Sequence, residues 1–330
     1  MSGQIKNFRF AELNLRHHGD STNTLVLVNR AIRMGYDSVA INIDIGDPFL
    51  SVSDRVEDES DEPVKKKKKK QKIPVQDEEN IIPDPFKVDE TMLSTSDLQR
   101  LKADGKVFRQ FSRITMTLSN TTAVHKMMNN KKVKKFDLVA VRIQDQDMLT
   151  TMSRKGDAVD IITFDPCAGQ KANWLYSSKL VQAVASEGIA FELTYSGALT
   201  DSPNRREFFA NGKLLMDATK KGGNVFLSSG ASSLIQIRGP YDVANLSTLI
   251  GIDPFYGIHL ISSNPKNVLL RSQARTLTVK GAIHVSDLNH VPNRTKPSAE
   301  ALEDLLKVEE FKRQVKLKDE TQSHVMEVDS

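Results

Sequence analysis

The sequence predicts an α/β fold in which strands and helices alternate around a closed barrel. Seven short segments suited to strands recur along the chain, and nearly every one is followed by a stretch of helical periodicity. That order is the pattern of a parallel sheet with helical crossovers. No glycine-rich phosphate fingerprint follows the first strand, which favours a barrel of seven or eight βα units over an open, doubly wound sheet.

Residues 8–15 alternate apolar and polar side chains and form the first expected strand. Residues 22–34 place Leu25, Val28 and Ile32 on one helical face, with Ser21 or Thr22 as N-cap and Gly35 as the stop. Residues 38–45 are the second strand, so 1–45 make the first part of the barrel. The pattern then breaks. Residues 46–105 combine acidic runs, the lysines Lys65, Lys66, Lys67, Lys68, Lys69 and Lys70, and the prolines Pro74, Pro83 and Pro85. Such a segment buries too little apolar surface to offset its ordering entropy and is expected to be a disordered insertion. Within it, Ser94–Asp97 suits the cap of a short helix carrying Leu98 and Leu101. The lysine run fits a nuclear-import signal; the plainer reading is a solvated linker.

The alternation resumes over 106–285. Strands are expected at 108–118, 136–141, 160–164, 190–194 and 224–227, with helices at 121–130, 147–155 and 175–186, after Asp201-Ser202-Pro203, and from Pro240. Residues 257–263 and 265–275 read as two short helices, and 274–285 contain a last extended segment. Residues 286–330 form a C-terminal extension, with a charged amphipathic helix at 298–318 and a disordered end.

No run of eighteen apolar residues exists, the N-terminus lacks an apolar signal core, and Cys167 is the lone cysteine. A soluble intracellular protein without disulfides or a multi-cysteine zinc site is expected. The net charge of +4 is unevenly spread. Residues 46–105 hold 11 basic and 15 acidic residues, and 297–330 hold 5 and 9. The rest of the chain keeps 30 against 18, a balance of +12 that suits a polyanionic partner.

In a βα barrel, chemistry sits in the loops that follow the strands. A metal-dependent phosphoesterase would draw on His17, His18, Asp44 and Glu192. The other histidines fall away from strand ends, and two adjacent histidines in an extended chain point to opposite sides. No metal site and no catalytic residue is therefore expected, and Cys167 has no activating neighbour in sequence. Arginine and lysine say more. Arg16, Arg113, Arg142, Lys179, Arg205, Arg206 and Arg238 fall at or near strand ends and loops, where guanidinium and ammonium groups suit phosphate. Aromatic interleaving is sparse, so recognition by shape and backbone is expected over base reading.

The segments FAELNLR, DSVAINI, GIAFELTYS, NVFLSSGA and IRGPYDVANLSTLIGI resemble the thirty-kilodalton protein subunit family of ribonuclease P, shared in eukaryotes with ribonuclease MRP. The similarity runs from about residue 8 to 267, broken by the charged insertion. It implies a TIM-barrel-like fold related to the polymerase-and-histidinol-phosphatase barrels, with no catalytic centre in this subunit. It implies that the RNA subunit removes the 5′ leader of precursor tRNA, with Mg²⁺ at the RNA active site and no cofactor on the protein, and that the MRP particle cleaves precursor rRNA. The implied partners are the ribonuclease P and MRP RNAs, a small ferredoxin-like subunit of the Pop-five type and other proteins of the particles. The implied place is the nucleus and nucleolus. The His17-His18 pair departs from the family pattern, where small or polar residues are common.

Overall fold

Seven parallel strands follow one another in chain order around a nearly closed ring. The computed structural model describes residues 9–49, 81–169, 172–279 and 283–284. The strands are β1 (Ala11–Arg16), β2 (Ser38–Asp44), β3 (Arg109–Thr117), β4 (Leu138–Arg142), β5 (Ile161–Thr163), β6 (Ala190–Thr194) and β7 (Val225–Ser228). Between β7 and β1 the ladder is replaced by a few specific bonds. The Arg16 N–H donates to the Ala231 carbonyl at 2.9 Å, and the Ser229 N–H donates to both carboxylate oxygens of Glu12 at 3.0 Å. A buried side chain thus serves the seam where a strand-to-strand bond is missing.

The helices outside the ring begin where the sequence supplies a cap. Asp20, Asn120, Asp145 and Asp201 each accept a backbone N–H of the first turn, starting α1 (Ser21–Met34), α3 (Thr121–Asn129), α4 (Gln146–Lys155) and α6 (Ser202–Ala218). In α1 the cap is Asp20, one residue before the expected serine, and Gly35 ends the helix at φ 101°. α5 (Ser178–Ser186) and α7 (Pro240–Leu246) follow β5 and β7.

Period-two alternation divides the strand residues between two cores. Outward residues such as Ile41, Ile114, Val139 and Phe191 join the large cluster under the helices. Inward residues Leu13, Ala40, Leu138, Ile161 and Phe226 form a smaller cluster inside the ring, with Val268 of α9 (Ser263–Leu277) packed into it. Arg275 of α9 pairs with buried Asp160 at 2.8 Å, fixing the helix across the end of the barrel where the strands begin. Asp160 also accepts the Val139 N–H at 2.9 Å.

Two expectations need correction. Residues 81–105 are folded onto the barrel. They carry a 3₁₀ turn (Glu90–Met92) and α2 (Thr95–Ala103), and they bury Ile82, Val88, Leu93 and Leu101. Gln110 of β3 grips the Val88 backbone from both sides, at 3.0 and 3.1 Å. Averaged over sixty residues, the charge of the insertion hid this spaced set of apolar anchors. Residues 257–277 are divided differently too: α8 (Pro254–Gly257), a 3₁₀ turn (Ile258–Ile261), then α9 as one helix. Pro265 lies in the first turn of α9, where its missing N–H costs no helical bond. The final extended segment expected within 274–285 is present as short strands at Thr278–Val279 and Ile283–His284, after α9 ends at Leu277.

Of the unit formed by residues 282–330, only Ile283 and His284 are described, as a short extended piece. The amphipathic stretch at 298–318 and Lys65, Lys66, Lys67, Lys68, Lys69 and Lys70 lie outside the described residues. No described helix is long and apolar enough to cross a membrane.

Candidate functional site at the barrel mouth

Toward the C-terminal ends of the strands, the inward positions change from apolar to polar. A register shift in β1 between Glu12 and Leu15 brings Asn14 into line with inward residues of the neighbouring strands. Asn42, Thr115, Glu192 and Ser228 follow from period two in their own strands. The result is one connected layer. Asn42 donates to Asn14 and accepts from Thr115, both at 2.8 Å, and Thr115 accepts the Arg113 Nε–H at 3.2 Å. Arg113 meets Glu192 in a forked pair at 2.6 and 2.5 Å and also donates to the Leu13 carbonyl at 2.8 Å. Glu192 further accepts from Asn14 at 3.0 Å and Ser228 at 2.7 Å.

Both members of this ion pair are 0% exposed. Burial pushes the Glu192 carboxyl up, but the Arg113 charge, with hydrogen bonds from Arg113, Ser228 and Thr163, outweighs it and holds the pKa below the ordinary value. Glu12 at the seam is equally buried and has no such cation. Burial raises its pKa to about 7, against the opposing pull of bonds from Ser229 and Asn14.

Above the layer is a cavity of about 600 Å³. Its second ion pair is Arg142–Asp44 at 2.5 Å, with Thr117 accepting from Arg142 at 3.3 Å. For Asp44, burial again raises the pKa, and Arg142 reverses the sign to leave it lowered. Arg16 lines the same cavity, with its Nε buried and without a hydrogen-bond partner among the described residues.

The seven cations expected to meet RNA therefore separate into three groups. Arg113 is a correction: with no exposed surface and a full carboxylate partner, it is an internal structural cation. Arg16 and Arg142 face the cavity. Lys179, Arg205, Arg206 and Arg238 are exposed. Lys179 lies in the first turn of α5, Arg205 and Arg206 near the start of α6, and Arg238 in the loop before α7. These elements follow β5, β6 and β7, so the four cations share the rim at the strands' C-terminal end.

The groups a phosphoesterase would use are already engaged. Arg142 holds Asp44, and Arg113 holds Glu192. His17 stacks on Phe86 of the folded insertion at 4.1 Å and bonds Thr24 at 2.7 Å. Thr24 gives its own proton to the Asp20 carbonyl, so it accepts from His17 Nδ1–H. His18 is exposed. Among the described residues, no three of His, Cys, Asp and Glu are grouped to hold a metal. Burial, then Asp165, Glu207 and Asp201, push the Cys167 thiol up to about 11, which suppresses the nucleophilic thiolate.

The signature IRGPYDVANLSTLIGI is built into this end as architecture. Tyr36 donates to the Arg238 carbonyl at 3.1 Å, and the Arg238 N–H donates to Tyr195 at 3.2 Å. Two buried phenols thus clamp the backbone just before α7. Gly257 lets α8 approach α7 closely, since a Cβ there would meet the Ala244 carbonyl at 2.6 Å. Sequence reading missed Glu12, Asn42 and Thr115. Their signal was available: polar residues recur at period two in strands that are otherwise apolar.

The family described as RNase P subunit p30 matches residues 9–277, which is most of the chain and all of the barrel. The chain belongs to that family. Mouse ribonuclease P protein subunit p30 is 28% identical over 269 residues, covering 81% of this chain and 87% of the mouse protein. The Arabidopsis protein GAMETOPHYTE DEFECTIVE 1 is 34% identical over 183 residues, 55% of this chain but 31% of that longer protein. A chain in the cryo-EM structure of archaeal ribonuclease P with mature tRNA shares the fold. It superposes with a TM-score of 0.52 at 12% identity, over 83% of this chain and 98% of that one. Membership in the p30 family supports a protein subunit of ribonuclease P and MRP over an autonomous phosphoesterase.

Proposed function

We propose that this p30-family subunit serves the ribonuclease P and MRP particles as a scaffold, holding RNA at its basic rim while the RNA subunit performs the cleavage. The observation that carries this reading is the use of charge at one end of the barrel. The carboxylates that could serve chemistry are neutralised from within, while Lys179, Arg205, Arg206 and Arg238 remain exposed on three successive βα units. Phosphate contacts by such residues position an RNA without reading its sequence. In this reading precursor tRNA is met indirectly, and Mg²⁺ belongs to the RNA active site. A small ferredoxin-like subunit of the Pop-five type and the other particle proteins are its protein neighbours.

Precipitating the full-length protein from cells and sequencing the bound RNA tests the proposal. Recovery of the P and MRP RNAs is expected; recovery of neither would sink it. We further propose that Lys65–Lys70 direct the protein to the nucleus and its nucleolus. Deleting residues 63–72 should then move the protein to the cytoplasm while co-purification with the particle proteins is unchanged, because the described strands and helices of the barrel are all formed by other residues. Unaltered nuclear fluorescence in that deletion would refute the import role.

A further inference from the structure

Three guanidinium groups line the cavity at the barrel mouth, and they are not equivalent. Arg113 is bound to Glu192, and Arg142 to Asp44. Among the described residues Arg16 makes no ion pair and its Nε meets no acceptor, although its charge also acts on Asp44. Because Arg16 lines the cavity, its cationic side chain can be met there by an anion from outside the protein. The side chain starts from a fixed point. The Arg16 N–H is tied to the Ala231 carbonyl at 2.9 Å, and the register shift in β1 sets its direction.

The walls around Arg16 suit an anion. They offer the Thr194 hydroxyl and the Gln236 amide, while Ser196 already donates to the Gly230 carbonyl and the Asn204 amide to Thr200 and Asp201. The carboxylates nearest the floor, Asp44 and Glu192, are both held by arginine. Asp165 is on the exposed edge. The cavity is closed below by the buried polar layer, so a terminus fits it better than the middle of a passing strand. Its volume of about 600 Å³ lies within the roughly 300–1,000 Å³ typical of small-molecule sites. Guanidinium matches phosphate by forked hydrogen bonding.

We infer that the barrel mouth is a receptor for a phosphomonoester, either the terminal phosphate of an RNA or a free nucleotide, with Arg16 as the main donor and Arg142 beside it. This inference goes beyond scaffolding: it stands on the cavity, whereas the scaffold reading stands on the rim.

Fluorescence anisotropy with the full-length chain tests it. The probes are one short RNA in three forms, with a 5′-phosphate, a 3′-phosphate, or hydroxyls at both ends, and AMP as competitor. One phosphorylated form should bind about tenfold tighter than the hydroxyl form, the equivalent of one charge-assisted contact of about 1.4 kcal/mol. Arg16→Ala should abolish that preference. Arg16→Lys, which keeps the charge but loses the fork, should retain part of it and serves as the deciding variant if Arg16→Ala does not fold. Displacement of the phosphorylated RNA by AMP identifies a free nucleotide as the occupant; failure of AMP to displace it identifies the RNA end. Equal affinity for all three RNA forms with no AMP binding overturns the inference, as does a phosphate preference that survives in folded Arg16→Ala. Either result would leave the scaffold reading standing, because Arg205→Ala/Arg206→Ala would still weaken all three RNA forms alike. Recovery of neither particle RNA from cells remains the separate failure of that reading.

Discussion

The arginines inside the barrel and those on its rim are the same residue in opposite service. Arg113 donates to four acceptors and has no exposed surface; Arg205 and Arg206 are exposed and bond only to carbonyls of their own segment. Charge in the interior is strongly coupled to stability because any loss leaves an unpaired partner in a low dielectric. Charge on the rim is screened and replaceable for folding, and so is available for a polyanion. Sequence position near a strand end did not separate the two; strand parity and burial do.

The largest expected effect comes from breaking the interior pair. Arg113→Ala should destabilise the protein by about 3–5 kcal/mol, because Glu192 would remain buried without its cation. Urea unfolding measures it. Replacing both partners, as in Arg113→Met with Glu192→Leu, should recover much of the loss, since no lone charge is then left. A single mutant within about 1 kcal/mol of wild type would show that the pair is not what holds this layer, since single changes of that size are ordinary.

A second test contrasts two buried glutamates. Glu192 is held ionised by Arg113, whereas Glu12 has a pKa raised to about 7. Because the folded value lies above the ordinary 4.5, the contribution of Glu12 to stability is full below about 4.5 and is lost as pH rises to about 7. The change is on the order of 3 kcal/mol. Glu12→Gln removes the titration, so the stability difference between wild type and variant should move by that order between pH 4.5 and pH 7.5, and little beyond. Parallel pH profiles for the two proteins would mean that Glu12 is not a buried titrating group.

Much of this architecture was legible in the chain. The seven strands and their helices followed from period, whereas the caps Asp20, Asn120 and Asp145 were fixed only by the structure, Asp20 in place of the expected Ser21 or Thr22. The packing of residues 81–105 was not, because Ile82, Val88, Leu93 and Leu101 are few among many charges and their burial depends on a distant barrel surface. The mouth was half legible. Asp44, Arg142 and Glu192 stood out as strand-end residues, but their pairing requires knowing that β2 and β4 flank β3 and that β3 and β6 face one lumen. The inward turn of Arg16 depends on the β1 bulge, and the burial of Arg113 on the parity of β3.

The smallest effect on stability should come from the rim, where the effect on binding should be clear. Arg205 and Arg206 lie in the first turns of α6, whose cap is Asp201 and whose buried face is carried by Phe208, Gly212 and Leu215. Neither arginine supports that face, so Arg205→Ala/Arg206→Ala should leave the unfolding midpoint nearly unchanged, within the ~0.5 kcal/mol usual for surface substitutions. For RNA the expectation differs. Each lost phosphate contact should reduce the steepness of the salt dependence by roughly 0.7–0.9, so the double variant should bind more weakly at low salt and lose less affinity as salt rises. Titrations at several salt concentrations read both quantities from one preparation. A slope equal to wild type would assign the two residues to ordinary solvent-facing charge and move the RNA-facing part of the rim toward Lys179 and Arg238. A reduced slope accompanied by a large fall in stability would instead place the pair with the interior arginines, erasing the division between lumen and rim.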